Sequence, residues 1–327
     1  MSRNSTLLIS LTAVVLGLFA APVVAQEKQA YPSRPVRFIV PFPPGGGTDI
    51  VGRMVAEKLG DGLGQTFVVD NRPGAASTLG SNIAAKAVAD GYTLLMVTAS
   101  YSIAASYYAH LPYDPIKDLD TVGLVASQPL VLVANSSLRA NSMKELIAQA
   151  RAQPDKLNYA SGGAGGINHL AGEIFKTITG TNIVHVPYKG AGPALTGLLS
   201  GETQIMFATL GSALRYIKAG KLKALAMGSV RRSPLLPSVP TVAESGAPGY
   251  EAGNWYGILA PHGTSKGIVT LLNGKMGAAL RTQDIVSRLE KLAFVPAPST
   301  PGQFADYLRA EVAKWARAMK DAGVHPQ

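Results

Sequence analysis

The sequence predicts an α/β protein built as two doubly wound lobes. Three observations carry that expectation. Short apolar β-type runs alternate with helical patterns of about 10–15 residues, which points to βαβ units and a mostly parallel sheet with helices on both faces. The chain has 327 residues, long for a single core, so two domains or one bilobal unit is expected. Of its residues 47% are hydrophobic and 15% charged, enough apolar matter to bury such a core.

The elements follow in order. Residues 1–25 read as a secretory signal peptide. Arg3 gives a short basic start, Leu7 to Ala21 is apolar except for Ser10, Thr12 and Gly17, and Pro22 precedes small residues ending at Ala25. The run falls short of the roughly 20 residues that span a membrane, so cleavage near Ala25 and export to a periplasm are expected. A strand over 36–41 leads through Pro43-Pro44-Gly45-Gly46-Gly47 into a helix from Thr48. A strand over 67–69, a helix over 83–88 and a strand over 92–98 come next. The alternation resumes with a strand at 130–134 and a helix at 142–152, where Ser142 and Glu145 form a capping box. Strands at 157–160, 183–187, 205–208 and 222–228 enclose helices at 167–179, 191–199 and 210–219. The proline-rich stretch 231–253 reads as an irregular connector, and residues 264–323 as two helices, the second long and amphipathic.

Composition excludes several classes. The chain has no cysteine, which removes disulfide scaffolds, Cys-ligated metal and thiol nucleophiles. The formal charge of +10 is scattered, its densest run being Lys218, Lys221 and Lys223, and no aromatic–basic signature accompanies it, so nucleic acid is not an expected partner. His110, His169, His185, His262 and His325 lack metal-ligand spacing. No metal and no cofactor are expected, and neither a G-x-S-x-G elbow nor an H-E-x-x-H motif occurs.

Two segments share one design: apolar strand, glycine-rich turn, helix. The first is Pro41-Phe42-Pro43-Pro44-Gly45-Gly46-Gly47-Thr48-Asp49, the second Ser161-Gly162-Gly163-Ala164-Gly165-Gly166 with His169 just inside the following helix. Ligands of open α/β sheets bind at the carboxyl ends of strands. A helix start there offers unpaired N–H groups and partial positive charge to an anion, and glycines let a carboxylate reach the backbone. Either segment alone reads equally well as a tight turn; one in each lobe points to a ligand held between lobes. Asp49 is assigned to bracing its loop, since a carboxylate facing an anion would oppose binding. Ser161 with His169 is the one nearby pair that an exported hydrolase would need.

At these residues the chain resembles the extracytoplasmic solute receptors of the tripartite tricarboxylate transporter system, the Bug receptors. The resemblance runs from YPSRPVR (31–37) and PFPPGGGTDIVGR (41–53) through VVDNRPGA (68–75), DGYTLL (90–95), PYDPIKDL (112–119) and HVPYKG (185–190) to PTVAESGAPGYE (240–251) and WYGILAP (255–261). It implies a type II periplasmic-binding fold, two α/β lobes with a ligand cleft and a hinge. Lobe 1 would hold 31–127 plus 252–327, and lobe 2 would hold 128–251. It implies a monomeric, non-enzymatic receptor for a small carboxylate, working with membrane transporter subunits; a ligand-sensing adaptor for a signalling membrane protein fits the same fold. Carried over by motif, the ligand-binding positions are Phe42, Pro43, Gly45, Gly46, Gly47, Thr48 and Asp49 in the first loop. In the second they are Ser161, Gly162, Gly163, Ala164 and His169. Ala75 and Ser77 would line the lobe-1 side, with Ser100 and Thr209 at strand ends. The family often has an acidic residue after Ile205-Met206-Phe207. Ala208 stands there, which would disfavour a ligand ammonium if that position faced the cleft.

Overall fold

A computed structural model describes residues 31–326; the expected signal peptide lies outside the described residues. The first unit of the alternation is β1 (Val36–Val40) and α1 (Gly47–Leu63), then β2 (Phe67–Asn71) and a 3₁₀ turn at Ala75–Ser77. The next elements are α2 (Thr78–Ala85), β3 (Thr93–Thr98), α3 (Ala99–Tyr107) and β4 (Leu119–Asn135). Helix α2 therefore starts and ends earlier than the 83–88 expected. The second set comprises α4 (Met143–Ala152), β5 (Asn158–Ser161), α5 (Ile167–Thr179), β6 (Val184–Pro187) and α6 (Ala191–Ser200). It continues with β7 (Ile205–Thr209), α7 (Leu210–Lys218) and β8 (Leu222–Met227). After the connector come β9 (Gly253–Pro261), α8 (Lys266–Ala279), α9 (Gln283–Lys291), β10 (Val295–Pro296) and α10 (Pro301–Asp321). The C-terminal part thus carries three helices where two were expected, because the chain breaks between Leu280 and Thr282.

The strands run in the order β2-β1-β3-β9-β4-β7-β5-β6, with β8 and β10 also pairing with β4. The βα units pair in parallel, β2 and β3 on β1, and β6 and β7 on β5. All pairs made by β4 and β9 are antiparallel. The sheet is therefore mixed rather than mostly parallel. Strand β4 explains why. Its first part, from Leu119 to Pro129, pairs with β9, and its last part, from Leu130 onward, pairs with β7 and β8. One long strand joins two sheets that each grow outward by βα units.

Side chains alternate across a strand, and here both faces are covered. Leu130, Leu132 and Ala134 join a core that includes Leu170 and Phe175 of α5. Val131 and Val133 join a second core with Ala194 and Leu198 of α6 and Leu210 and Ala213 of α7. The continuous apolar runs at 130–134 in β4 and 205–208 in β7 are what a sheet covered on two sides demands. Three helices that do not start at a strand end are capped by side chains, Ser142 on α4, Ser265 on α8 and a complete Thr300–Gln303 box on α10. The box expected at Ser142 is only half formed: Ser142 accepts from the Glu145 N–H, while the Glu145 carboxylate accepts from Asn141 instead.

Candidate ligand-binding site

The first glycine loop leaves β1 and enters α1 with Gly46 as an extended N-cap that makes no side-chain cap bond. Gly45 has φ +80°, a left-handed backbone that glycine adopts without a Cβ penalty. Asp49, 4% exposed, ties the loop down. One carboxylate oxygen accepts from the Gly45 N–H at 2.9 Å and from Arg53 at 3.0 Å. The other accepts from Asn71 at 2.9 Å, and Asn71 also donates to the Phe42 carbonyl. Burial pushes the Asp49 pKa up, but Arg53, the Gly45 N–H and Asn71 outweigh it and hold it below the usual carboxylate range. Asp49 has the geometry of a brace.

The second loop leaves β5 at Ser161 and enters α5 with Gly166 as an uncapped N-cap. Gly163 and Gly165 have φ +134° and +74°. A Cβ at Gly165 would lie 2.6 Å from the Tyr107 ring, so this close approach needs glycine. His169 is buried, and its Nδ1 accepts from the Gly165 N–H at 3.2 Å. Its pKa is lowered by burial, against the opposing pull of Glu173.

A third helix start lies beside the second. Strand β6 feeds Tyr188-Lys189-Gly190, and α6 begins after Gly190, again uncapped and at φ +117°. Tyr188 N–H donates to Ser161 O and Gly190 N–H to Gly162 O. A Cβ on Gly190 would stand 3.4 Å from Pro43 Cγ. Gly190 therefore bridges the two loops that sequence reading singled out. Ser100 makes a second link: in the first turn of α3, its hydroxyl accepts from the Ile167 N–H at 3.3 Å.

Not every expected residue joins this group. Thr209 closes β7 and donates to Ser212, within its own helix start. Ala75 is exposed and Ser77 is 1% exposed, both in a segment with positive φ from Gly74 to Ser77. The Ser77 hydroxyl is buried with no hydrogen-bond partner among the described residues. Ala208 is 0% exposed and packs in the core with Val131 and Met206, so its methyl answers to packing rather than to a ligand's charge. Nor do Ser161 and His169 form a hydrolase pair. The Ser161 hydroxyl lies 2.6 Å from His185 Nε2, and His169 stacks on His185 with centroids 4.1 Å apart.

His185 sits beside Ser161 at a position sequence reading passed over, although HVPYKG contained it. Its ring is sandwiched between Tyr159 and His169. Burial, then the neighbouring His169, push its pKa down to about 4. Behind it Tyr159 donates to Glu173, which also holds Lys176. The crossing strands add a buried relay that was equally unforeseen. Asn254 accepts from the Ala99 N–H and donates to Tyr256, whose hydroxyl donates to Gln128. The Tyr256 hydroxyl sits 3.5 Å from the position a Gly47 Cβ would take. Among the described residues, no group of three or more His, Asp or Glu is placed to hold a metal ion, and no helix is long and apolar enough to cross a membrane.

Backbone donors at strand ends of an α/β scaffold are where such folds bind small ligands. The match to known proteins says which kind of protein this is. The family described as tripartite tricarboxylate transporter family receptor matches residues 51–324, and the chain belongs to it. It is 40% identical over 317 residues to Protein BugT of Bordetella pertussis, covering 94% of this chain and 96% of that one. Among solved structures, an R. palustris protein with adipate superposes with a TM-score of 0.88 at 36% identity, covering 91% of this chain and all of the other. MatC from Rhodopseudomonas palustris with bound malate gives 0.83 at 32% identity, covering 88% and 99%. The protein is thus a solute-binding receptor of the Bug type, with the two-lobed α/β fold of that class, and its relatives are receptors rather than enzymes.

Proposed function

We propose that this receptor captures a small carboxylate in the periplasm, in a cleft between a lobe of residues 31–127 plus 252–327 and a lobe of 128–251, and delivers it to a tripartite tricarboxylate-type transporter. The observation that carries the reading is the approach of the first glycine loop to the other two helix starts, with Pro43 against Gly190 and Gly190 hydrogen-bonded to Gly162. These helix starts offer positive dipole ends and backbone N–H groups, apart from the Ile167 N–H that Ser100 already holds, the electrostatics a carboxylate needs. No arginine clamp is required. Hydrogen bonds to a charged group contribute about 1.5–3 kcal/mol each, and three or four of them, less immobilisation and desolvation, leave about −8 kcal/mol, a micromolar Kd. The relatives solved with adipate and malate support the same ligand class.

The test is calorimetric titration of the protein with adipate, malate and shorter monocarboxylates, alongside its thermal midpoint. At least one acid should bind and raise the midpoint. Gly46→Val should remove that binding while the protein stays folded. Gly46 has ordinary negative φ, and the nearest atom to an added Cβ is 3.7 Å away, so the branched side chain fits the fold and fills the anion position. Unchanged affinity in Gly46→Val would reduce the first loop to a turn.

A further inference from the structure

A cavity of about 650 Å³ opens beside the two crossing strands, and none of the glycine-loop residues lines it. Its floor includes Trp255, Phe294, Gln128 and Asn254, all nine-tenths or more buried. Its walls gather Val230, Leu235, Val295 and Tyr307, which are 62%, 37%, 56% and 37% exposed. Large apolar side chains left in water singly are ordinary; four grouped around one recess with an aromatic floor mark a binding site. The volume falls within the range of small-molecule sites, which runs from about 300 to 1,000 Å³.

The charges around the recess say what kind of molecule fits. Three basic side chains line it, Arg231, Arg232 and Lys314, against three acidic ones, Glu251, Glu290 and Glu311. Several are already spent. Arg232 pairs with Glu244, and Glu311 accepts from Trp255, Trp315 and Lys314. With those pairs set aside, Arg231 faces Glu251 and Glu290, so an anion gains no net attraction here, whereas an apolar ring gains burial against aromatic side chains. We propose that this cavity is a second ligand site, for an uncharged aromatic small molecule, distinct from the carboxylate cleft.

The two sites share supports. Gln128 and Asn254 line the cavity and also hold Tyr256, which packs toward Gly47, while Asn254 takes the Ala99 N–H one residue before Ser100. A molecule seated on these amides bears on the segments that carry the first loop and Ser100. This consequence rests on the carboxylate-receptor reading; the cavity itself does not. Coupling of this kind is reciprocal, so each ligand changes the other's affinity by the same factor.

The probe is N-phenyl-1-naphthylamine, uncharged and fluorescent in apolar surroundings, with its anionic relative 1-anilinonaphthalene-8-sulfonate as the comparison. The uncharged probe should bind saturably at one site per chain, and the sulfonate no more tightly. Val230→Asp and Leu235→Asp, at wall positions that already meet water, should each weaken the probe about tenfold with the thermal midpoint unchanged. Gly46→Val should leave probe binding intact, which separates failure of this site from failure of the carboxylate cleft. No saturable binding, tighter binding of the sulfonate, or full affinity in both Asp variants would overturn the proposal.

Discussion

Mild acid should loosen the second glycine loop, and His185 sets the size of the effect. Its ring lies between Tyr159 and His169, its Nε2 is 2.6 Å from the Ser161 hydroxyl, and Glu173 and Lys176 are the charged groups behind it. Burial, then His169, hold its pKa down at about 4, against an ordinary value of 6.5. A histidine whose folded-state pKa is depressed binds its proton more readily when unfolded. Its neutral form therefore favours the folded state fully above pH 6.5, and stability falls as the pH drops from 6.5 toward 4. His169 is shifted the same way by burial and adds in the same direction. The depressed carboxylates Asp49, Asp70 and Glu173 start from ordinary values of 3.8 to 4.5, so their losses begin only in stronger acid. Going from about pH 7 to about pH 5 gives His185 roughly 1.5 pH units at 1.36 kcal/mol each, so about 2 kcal/mol at most, and solvent on its open side reduces that toward 1. Urea unfolding at the two pH values reads this difference directly. His185→Gln keeps a polar side chain near Ser161 and cannot titrate, so its stability should depend less on pH by that amount. Equal pH dependence in the wild type and His185→Gln would refute the argument.

Three further outcomes follow from single contacts. Asp49→Ala removes the acceptor for Gly45, Arg53 and Asn71, and should cost about 1–3 kcal/mol in urea unfolding together with a loss of carboxylate affinity. Glu311→Leu leaves the indole N–H groups of Trp255 and Trp315 without their shared acceptor inside the core, and should cost about 2–4 kcal/mol; a change below about 1 kcal/mol would show that water replaces the carboxylate. Gly163→Val, unlike Gly46→Val, places a β-branched residue at φ +134°, so it should lower the thermal midpoint as well as remove carboxylate binding, and an unchanged midpoint would contradict the strain reading.

What could be read from the residues was local. The run before Pro41, the glycines and the spaced apolar residues of α1 lie together in the chain, so β1, the first loop and α1 were all legible, as were β5, the second loop and α5. The errors share one cause, partners distant in sequence. Helix α3 has no polar face to betray it, because Ala99, Ser100, Tyr101, Ser102, Ile103 and Ala104 are all buried. Strand β4 was expected at 130–134 because Pro129 and Gly123 interrupt the apolar run; its earlier part is held by β9, whose paired residues lie more than a hundred positions away. Antiparallel pairing by β4 and β9, and with it the mixed sheet, was therefore invisible.

The candidate site failed and succeeded for the same reason. Chain proximity suggested His169 for Ser161, eight residues along. The parallel register of β5 and β6 instead sets Tyr159 opposite His185 and Ser161 opposite Pro187, which brings the His185 ring to the Ser161 hydroxyl. That register also carries Tyr188 and Gly190 alongside Ser161 and Gly162, so the third helix start arrives beside the second loop as a consequence of strand pairing. Glycine turns can be recognised one at a time, but the second and third helix starts come together only once the sheet has set β5 and β6 side by side. A substitution that slips β6 against β5 should therefore damage ligand binding without touching either glycine loop, because it moves Gly190 away from Pro43.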